Sequence, residues 1–234
     1  MYSSVGFGGG SSYLAILALT GIAFTQIRSI ALLCNIMVVS GNVYLFYKQN
    51  QLEWKKIIPL VSLSIPLSYL GGYLKINQKL FFIALGFTLC FAAITMWFSK
   101  KRTKKNNKED NYNFIKNTCI GGIIGFISGM VGIGGGIFLA PFLYLTNWST
   151  PNKIAATASF FILVNSFAGL FGQFSNPNFE INWSFSLILL FTVFIGGQLG
   201  NKISNRYFTP IQLKKATSIL IAFVSLRILY MNVF

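Results

Sequence analysis

A chain of 234 residues that is 54% hydrophobic and only 10% charged cannot cover a globule with a water-compatible surface, since soluble domains carry about 25% charged residues. Its apolar runs approach the roughly 20 residues that cross a bilayer core, which excludes a soluble fold and points to an all-α polytopic membrane protein. The net charge of +15 does not make it a nucleic-acid binder: the cations sit between apolar runs, most densely in "SKKRTKKNNKED" at 99–110, as cytoplasmic loops do under the positive-inside rule. Their natural counter-charge is anionic lipid at the bilayer surface.

The chain opens with a glycine-rich stretch, "SSVGFGGGSSYLA" at 3–15. Apolar segments are then expected over 11–24, 30–47, 57–74 and 80–98. A basic linker over 100–113 follows. Further apolar segments are expected over 114–131, 137–146, 155–174, 183–199 and 213–231. Trp54, Trp97, Trp148 and Trp183 fall near segment ends, where an aromatic belt sits. Cys34, Cys90 and Cys119 all lie in apolar segments, an odd number with neither a disulfide framework nor a zinc spacing. The absence of histidine removes the commonest general base and metal ligand. No cofactor or metal site is expected.

The two halves repeat. "VGFGGG" at 5–10 matches "VGIGGG" at 131–136, "TQIRSIA" at 25–31 matches "TPNKIAA" at 150–156, and "YLGGYL" at 69–74 matches "FIGGQL" at 194–199, all at an offset of about 125 residues. The expected organisation is a first unit over 1–99, the cytoplasmic linker over 100–113, and a second unit over 114–234. Each unit is one glycine-broken segment followed by three transmembrane helices. About 17 residues separate Phe114 from the second break, whereas the first break has only a handful before it, so the first unit is expected to lack its leading limb.

Charge decides the relative orientation. With the linker inside, a broken segment that crosses once would put Lys202, Arg206, Lys214 and Lys215 outside and the Glu180 loop inside, against the positive-inside rule. A segment that goes in and comes back reverses this and also puts Lys48, Lys55 and Lys56 inside, leaving Lys75 and Lys79 as the smaller violation. The copies are therefore expected to be inverted, each with a re-entrant break. Inverted repeats with interrupted helices are a secondary-transporter architecture.

A break at membrane depth frees backbone groups that hydrocarbon tolerates only beside protein or a watery cavity. The first N–H groups of the helix after the break point there with the positive end of a dipole, which favours an anion. The expected anion ligands are the main chain around Gly8, Gly9, Gly10, Gly134, Gly135 and Gly136, with Ser4, Ser11, Ser128, Asn35, Ser159 and Asn165 as side-chain contacts. By contrast "GGIIGFISG", with Gly121, Gly125 and Gly129 four apart, reads as a packing stripe. A dinucleotide loop is excluded because no strand precedes either GxGGG.

"GGIIGFISGMVGIGGGIFLAPFL" at 121–143 resembles the signature of the TauE/SafE family of sulfite-exporter-like permeases. "YSSVGFGGGSSYLA" at 2–15 with "ALLCNIMV" at 31–38 resembles the first-half signature of one branch, except that Phe7 stands where that branch usually has histidine. The resemblance implies a multi-pass bacterial inner-membrane transporter of small anions, often sulfite or sulfonates. A homo-oligomer is compatible with this reading.

The acids are Glu53, Glu109, Asp110 and Glu180, all in expected loops, so no carboxylate lies within a span to relay protons. Gln173, Gln198 and Thr157 are further polar residues within apolar segments, and Arg227 reads as an interfacial residue near the C-terminus. A non-transporting membrane scaffold, or a truncated inactive permease, is the alternative reading. A membrane enzyme is disfavoured because no nucleophile–base pair or metal constellation is visible.

Overall fold

The computed structural model describes residues 9–19, 22–98, 114–146, 148–177, 179, 181–207 and 210–233. Nine helices fill them: α1 (Gly10–Ala18), α2 (Phe24–Lys48), α3 (Trp54–Tyr73), α4 (Gln78–Phe98), α5 (Phe114–Val131), α6 (Gly136–Leu145), α7 (Pro151–Phe174), α8 (Trp183–Tyr207) and α9 (Pro210–Val233). No strand occurs among the described residues. The basic linker over 100–113 lies wholly outside them.

Among the described residues four helices are long and apolar enough to cross a membrane: α2, α4 over Gln78–Thr95, α5 and α7, with shorter apolar stretches at Trp183–Gly196 in α8 and Ile221–Met231 in α9. Their outward faces carry large apolar side chains such as Ile188, Phe191, Phe223 and Leu226, each more than 60% exposed. Such a surface belongs in lipid.

The helices start earlier than apolarity suggests. α2 begins at Phe24 and takes in Arg28, and α7 begins at Pro151 and takes in Lys153. Pro151 suits the first helical turn because its missing N–H has no intrahelical acceptor there. The first apolar segment is shorter than expected, since α1 stops at Ala18 and 22–23 are non-helical.

Small residues set the closest packing. A Cβ added at Gly121, Gly125 or Gly129 of α5 would strike the backbone carbonyl of Leu60, Ser64 or Ser68 of α3, respectively. Each step of four on one helix matches a step of four on the other, so α3 and α5 run parallel in lockstep, the close approach that small-xxx-small stripes allow. Gly172 of α7 meets the Tyr69 carbonyl and Gly72 meets Gly169. The repeated dipeptide is used differently in the other half: Gly71 is pressed against Phe126 and Met130, while Gly196 of α8 meets no described neighbour.

Side-chain bonds fix the ends of the bundle. Lys153 Nζ donates to Glu53 Oε1 at 2.6 Å and Lys56 Nζ to the Trp148 carbonyl at 3.4 Å. At the other end Asn176 Nδ2 donates to the Tyr73 carbonyl at 3.0 Å. Thus α3 and α7 run in the same direction. α2 opposes them, because Ser29 near its start donates to Gln173 near the end of α7 at 2.6 Å.

Candidate functional site

The glycines around 132–136 do what a broken helix requires. Gly132, Gly134 and Gly135 have φ of +84°, +79° and +81°, a region costly for residues with a Cβ. They turn the chain from the end of α5 into the start of α6. In the first half Gly9, with φ +114°, precedes α1 in the same way. At each helix start the leading N–H groups, including those of Gly10 and Gly136, have no intrahelical acceptor.

The two breaks meet. A Cβ on Gly10 would lie 2.6 Å from the Ile133 carbonyl oxygen and 2.7 Å from Asn35 Nδ2. A Cβ on Gly134 would lie 3.0 Å from the same Asn35 nitrogen and 2.9 Å from Ser166 Oγ. Asn35 therefore stands between the breaks, with its amide donating to the Ile133 carbonyl at 3.0 Å. It sits beside the middle residue of α2, and Ile162, which touches Gly134, is at the middle of α7. The junction lies halfway along both long helices.

Around the junction the buried polar atoms are incompletely paired. Asn35 Oδ1, Ser128 Oγ, Ser159 Oγ and Ser166 Oγ are buried and find no hydrogen-bond partner among the described residues. Ser128 Cβ borders Gly135. Ser159 shares one stripe of α7 with Ile162 and Ser166, three and seven residues on, and that stripe meets Gly134. Unpaired buried hydroxyls are costly and each can both donate and accept.

Asn165 donates its Nδ2 to the Phe161 carbonyl of its own helix at 2.9 Å, and its main-chain carbonyl accepts from Ser68 Oγ of α3 at 2.9 Å. Its Oδ1 is buried and, like that of Asn35, finds no hydrogen-bond partner among the described residues. Ser4 and Gly8 lie outside the described residues, as does the side chain of Ser11. Among the described residues no group of three or more Cys, Asp or Glu could hold a metal ion.

Sequence reasoning missed two residues. Ser166 sits next to the more conspicuous Asn165, and only its spacing of seven from Ser159 hints at a shared face. Arg28 falls outside the apolar segment expected over 30–47, although it occupies the same place in "TQIRSIA" as Lys153 does in "TPNKIAA". It is only 5% exposed. Its Nη2 donates to the carbonyls of Gly71, Gly72 and Gly129 at 3.1, 3.3 and 3.2 Å. These carbonyls belong to the last turns of α3 and α5, which lack intrahelical donors and form the negative ends of the helix dipoles.

The family described as Sulfite exporter TauE/SafE matches residues 1–228. The chain is 34% identical over 240 residues to a probable membrane transporter protein, y4hK, of Sinorhizobium fredii, covering 98% of this chain and 93% of the relative. It is 28% identical over 204 residues to a probable membrane transporter protein of Methanocaldococcus jannaschii, covering 80% and 73%. With the probable membrane transporter protein YunE of Bacillus subtilis it shares 22% identity over 207 residues, covering 81% and 75%. No solved structure matches the chain.

Proposed function

The chain belongs to the TauE/SafE sulfite exporter family, and from that premise we propose that this multi-pass membrane protein is a secondary transporter of small anions, sulfur-containing oxyanions or organosulfonates, held between its two glycine breaks. The observation that carries the reading is the approach of Gly10 to Ile133 and Asn35 at the middle of the bundle. Two helix starts and a set of buried hydroxyls there offer donors without a fixed cation in contact, so an anion can be held weakly enough to leave.

The proposal includes the topology: two inverted units over 1–99 and 114–234, each with a re-entrant break, in the bacterial inner membrane with the 100–113 linker inside. The pairing of Glu53 with Lys153 supports it. That contact brings the loop before α3 and the loop before α7 to one end, as expected if α5 enters and α6 returns. Anion export toward a positive outside is downhill by about 2.3 kcal/mol per charge per 100 mV, so it requires no coupling ion.

Proteoliposomes containing the purified chain, assayed with sulfite, sulfate, thiosulfate and methanesulfonate, test the assignment. Saturable flux of at least one of them supports it. Absence of flux for all four, with the protein folded and inserted, overturns it.

A further inference from the structure

We propose that Arg28 and Gln173 form a second anion station, about 10 Å from Asn35 along α2 at 1.5 Å per residue and beside Gly132 at the start of the second break, where an oxyanion is captured on its way to or from the Asn35 junction. This deepens the anion-transport reading and rests on it.

Three observations lead there. First, Arg28 spends one nitrogen, Nη2, on the three carbonyls, while its buried Nε finds no partner among the described residues. Second, Gln173, 4% exposed, has its Oε1 tied down by Ser29 Oγ at 2.6 Å, which leaves its buried Nε2 without a described partner. Arg28 meets the last turn of α3 through Gly71 and Gly72, and Gln173 is tied to the next residue of α2, Ser29. Two unspent N–H donors, one on a guanidinium, suit the oxygens of a sulfite- or sulfonate-like anion.

Third, the repeat supplies a contrast. Lys153 holds the position in the second unit that Arg28 holds in the first, yet it is neutralised by Glu53 at 2.6 Å. Among the described residues no carboxylate reaches Arg28; it has only carbonyl dipoles, whose helix ends carry about half a charge each. The bundle therefore presents a compensated cation at one end and an uncompensated one at the other. A purely structural pin would need the carbonyl contacts alone, whereas the open Nε and the oriented amide of Gln173 are donors to something else.

The test is concentration-dependent flux in proteoliposomes with sulfite and methanesulfonate as probes, comparing wild type with Gln173→Met, Gln173→Glu and Arg28→Lys. Gln173→Met removes the donor at similar length, and Gln173→Glu sets a carboxylate against the guanidinium. Both are expected to raise KM about tenfold or more with kcat little changed, the signature of lost capture. Arg28→Lys keeps a charge but loses the Nε donor and should raise KM similarly if it folds; the Gln173 variants decide the matter if it does not. Unchanged KM in both Gln173 variants overturns the station, as does a fall in kcat alone. A wild type that moves neither probe nor any other anion of the panel instead overturns the anion-transport reading, so the two failures are distinguishable.

Discussion

Asn35 donates its side-chain amide to the main-chain carbonyl of Ile133 at 3.0 Å, joining the first half of the chain to the break in the second. The glycine turn leaves that carbonyl without a helical partner, and Asn35 supplies one from α2. Replacing Asn35 by leucine keeps the volume but strands a buried acceptor, a loss of about 1–3 kcal/mol. Asn35→Leu is expected to lower Tm in detergent by several degrees and to depress flux. Asn35→Gln should retain more of both if its longer amide still reaches.

Gly135 and Gly121 separate the roles of the two glycine patterns. At Gly135, φ is +81° and a Cβ would lie 2.8 Å from a Phe161 ring carbon. Valine there opposes both the backbone and the space, so Gly135→Val should abolish flux while the protein still reaches the membrane. At Gly121 the obstacle is the Leu60 backbone. Gly121→Leu should push α3 and α5 apart at a cost of about 1–3 kcal/mol, lowering Tm while flux per folded molecule survives. Normal transport by Gly135→Val would refute the placement of the site.

The Glu53 cluster predicts an acid-sensitive contact. Partial burial by itself raises the Glu53 pKa, but the hydrogen bond from Lys153, the charges of Lys56 and Lys153, and the Ser149 hydroxyl outweigh it and hold the carboxyl below its ordinary value. A carboxyl depressed in the folded state stabilises above its unfolded pKa of about 4.3, and the benefit disappears as pH falls through the lower folded value. Tm should hold from pH 7 to 5 as far as this group is concerned and decline below about 4. The side chains are a quarter to a third exposed, so Glu53→Gln should cost no more than about 1 kcal/mol at pH 7. It should also flatten that part of the pH profile.

Topology is open to cysteine labelling. In a chain with Cys34, Cys90 and Cys119 replaced, Lys108→Cys in the basic linker is expected to react only with reagent supplied from the cytoplasmic side. Ser175→Cys, at the exposed end of α7, is expected to react only from outside. Labelling of both from one side would refute inverted units with a re-entrant break.

Much of this protein was legible before any coordinates. Membrane class follows from composition, because a chain with so few polar residues has no other solvent. The second break, the packing role of Gly121, Gly125 and Gly129, and the expected span of α5 are local patterns, and local patterns survive folding unchanged. The partners of Arg28 were not legible. They come from α3 and α5, and the three carbonyls are 43, 44 and 101 residues away in sequence. That Asn35 meets the break, while the main-chain carbonyl of Asn165 takes the Ser68 hydroxyl of α3, depends on helix rotation and register. Those are settled by the lockstep of glycines against backbone, which is a property of surfaces in contact and not of either segment alone.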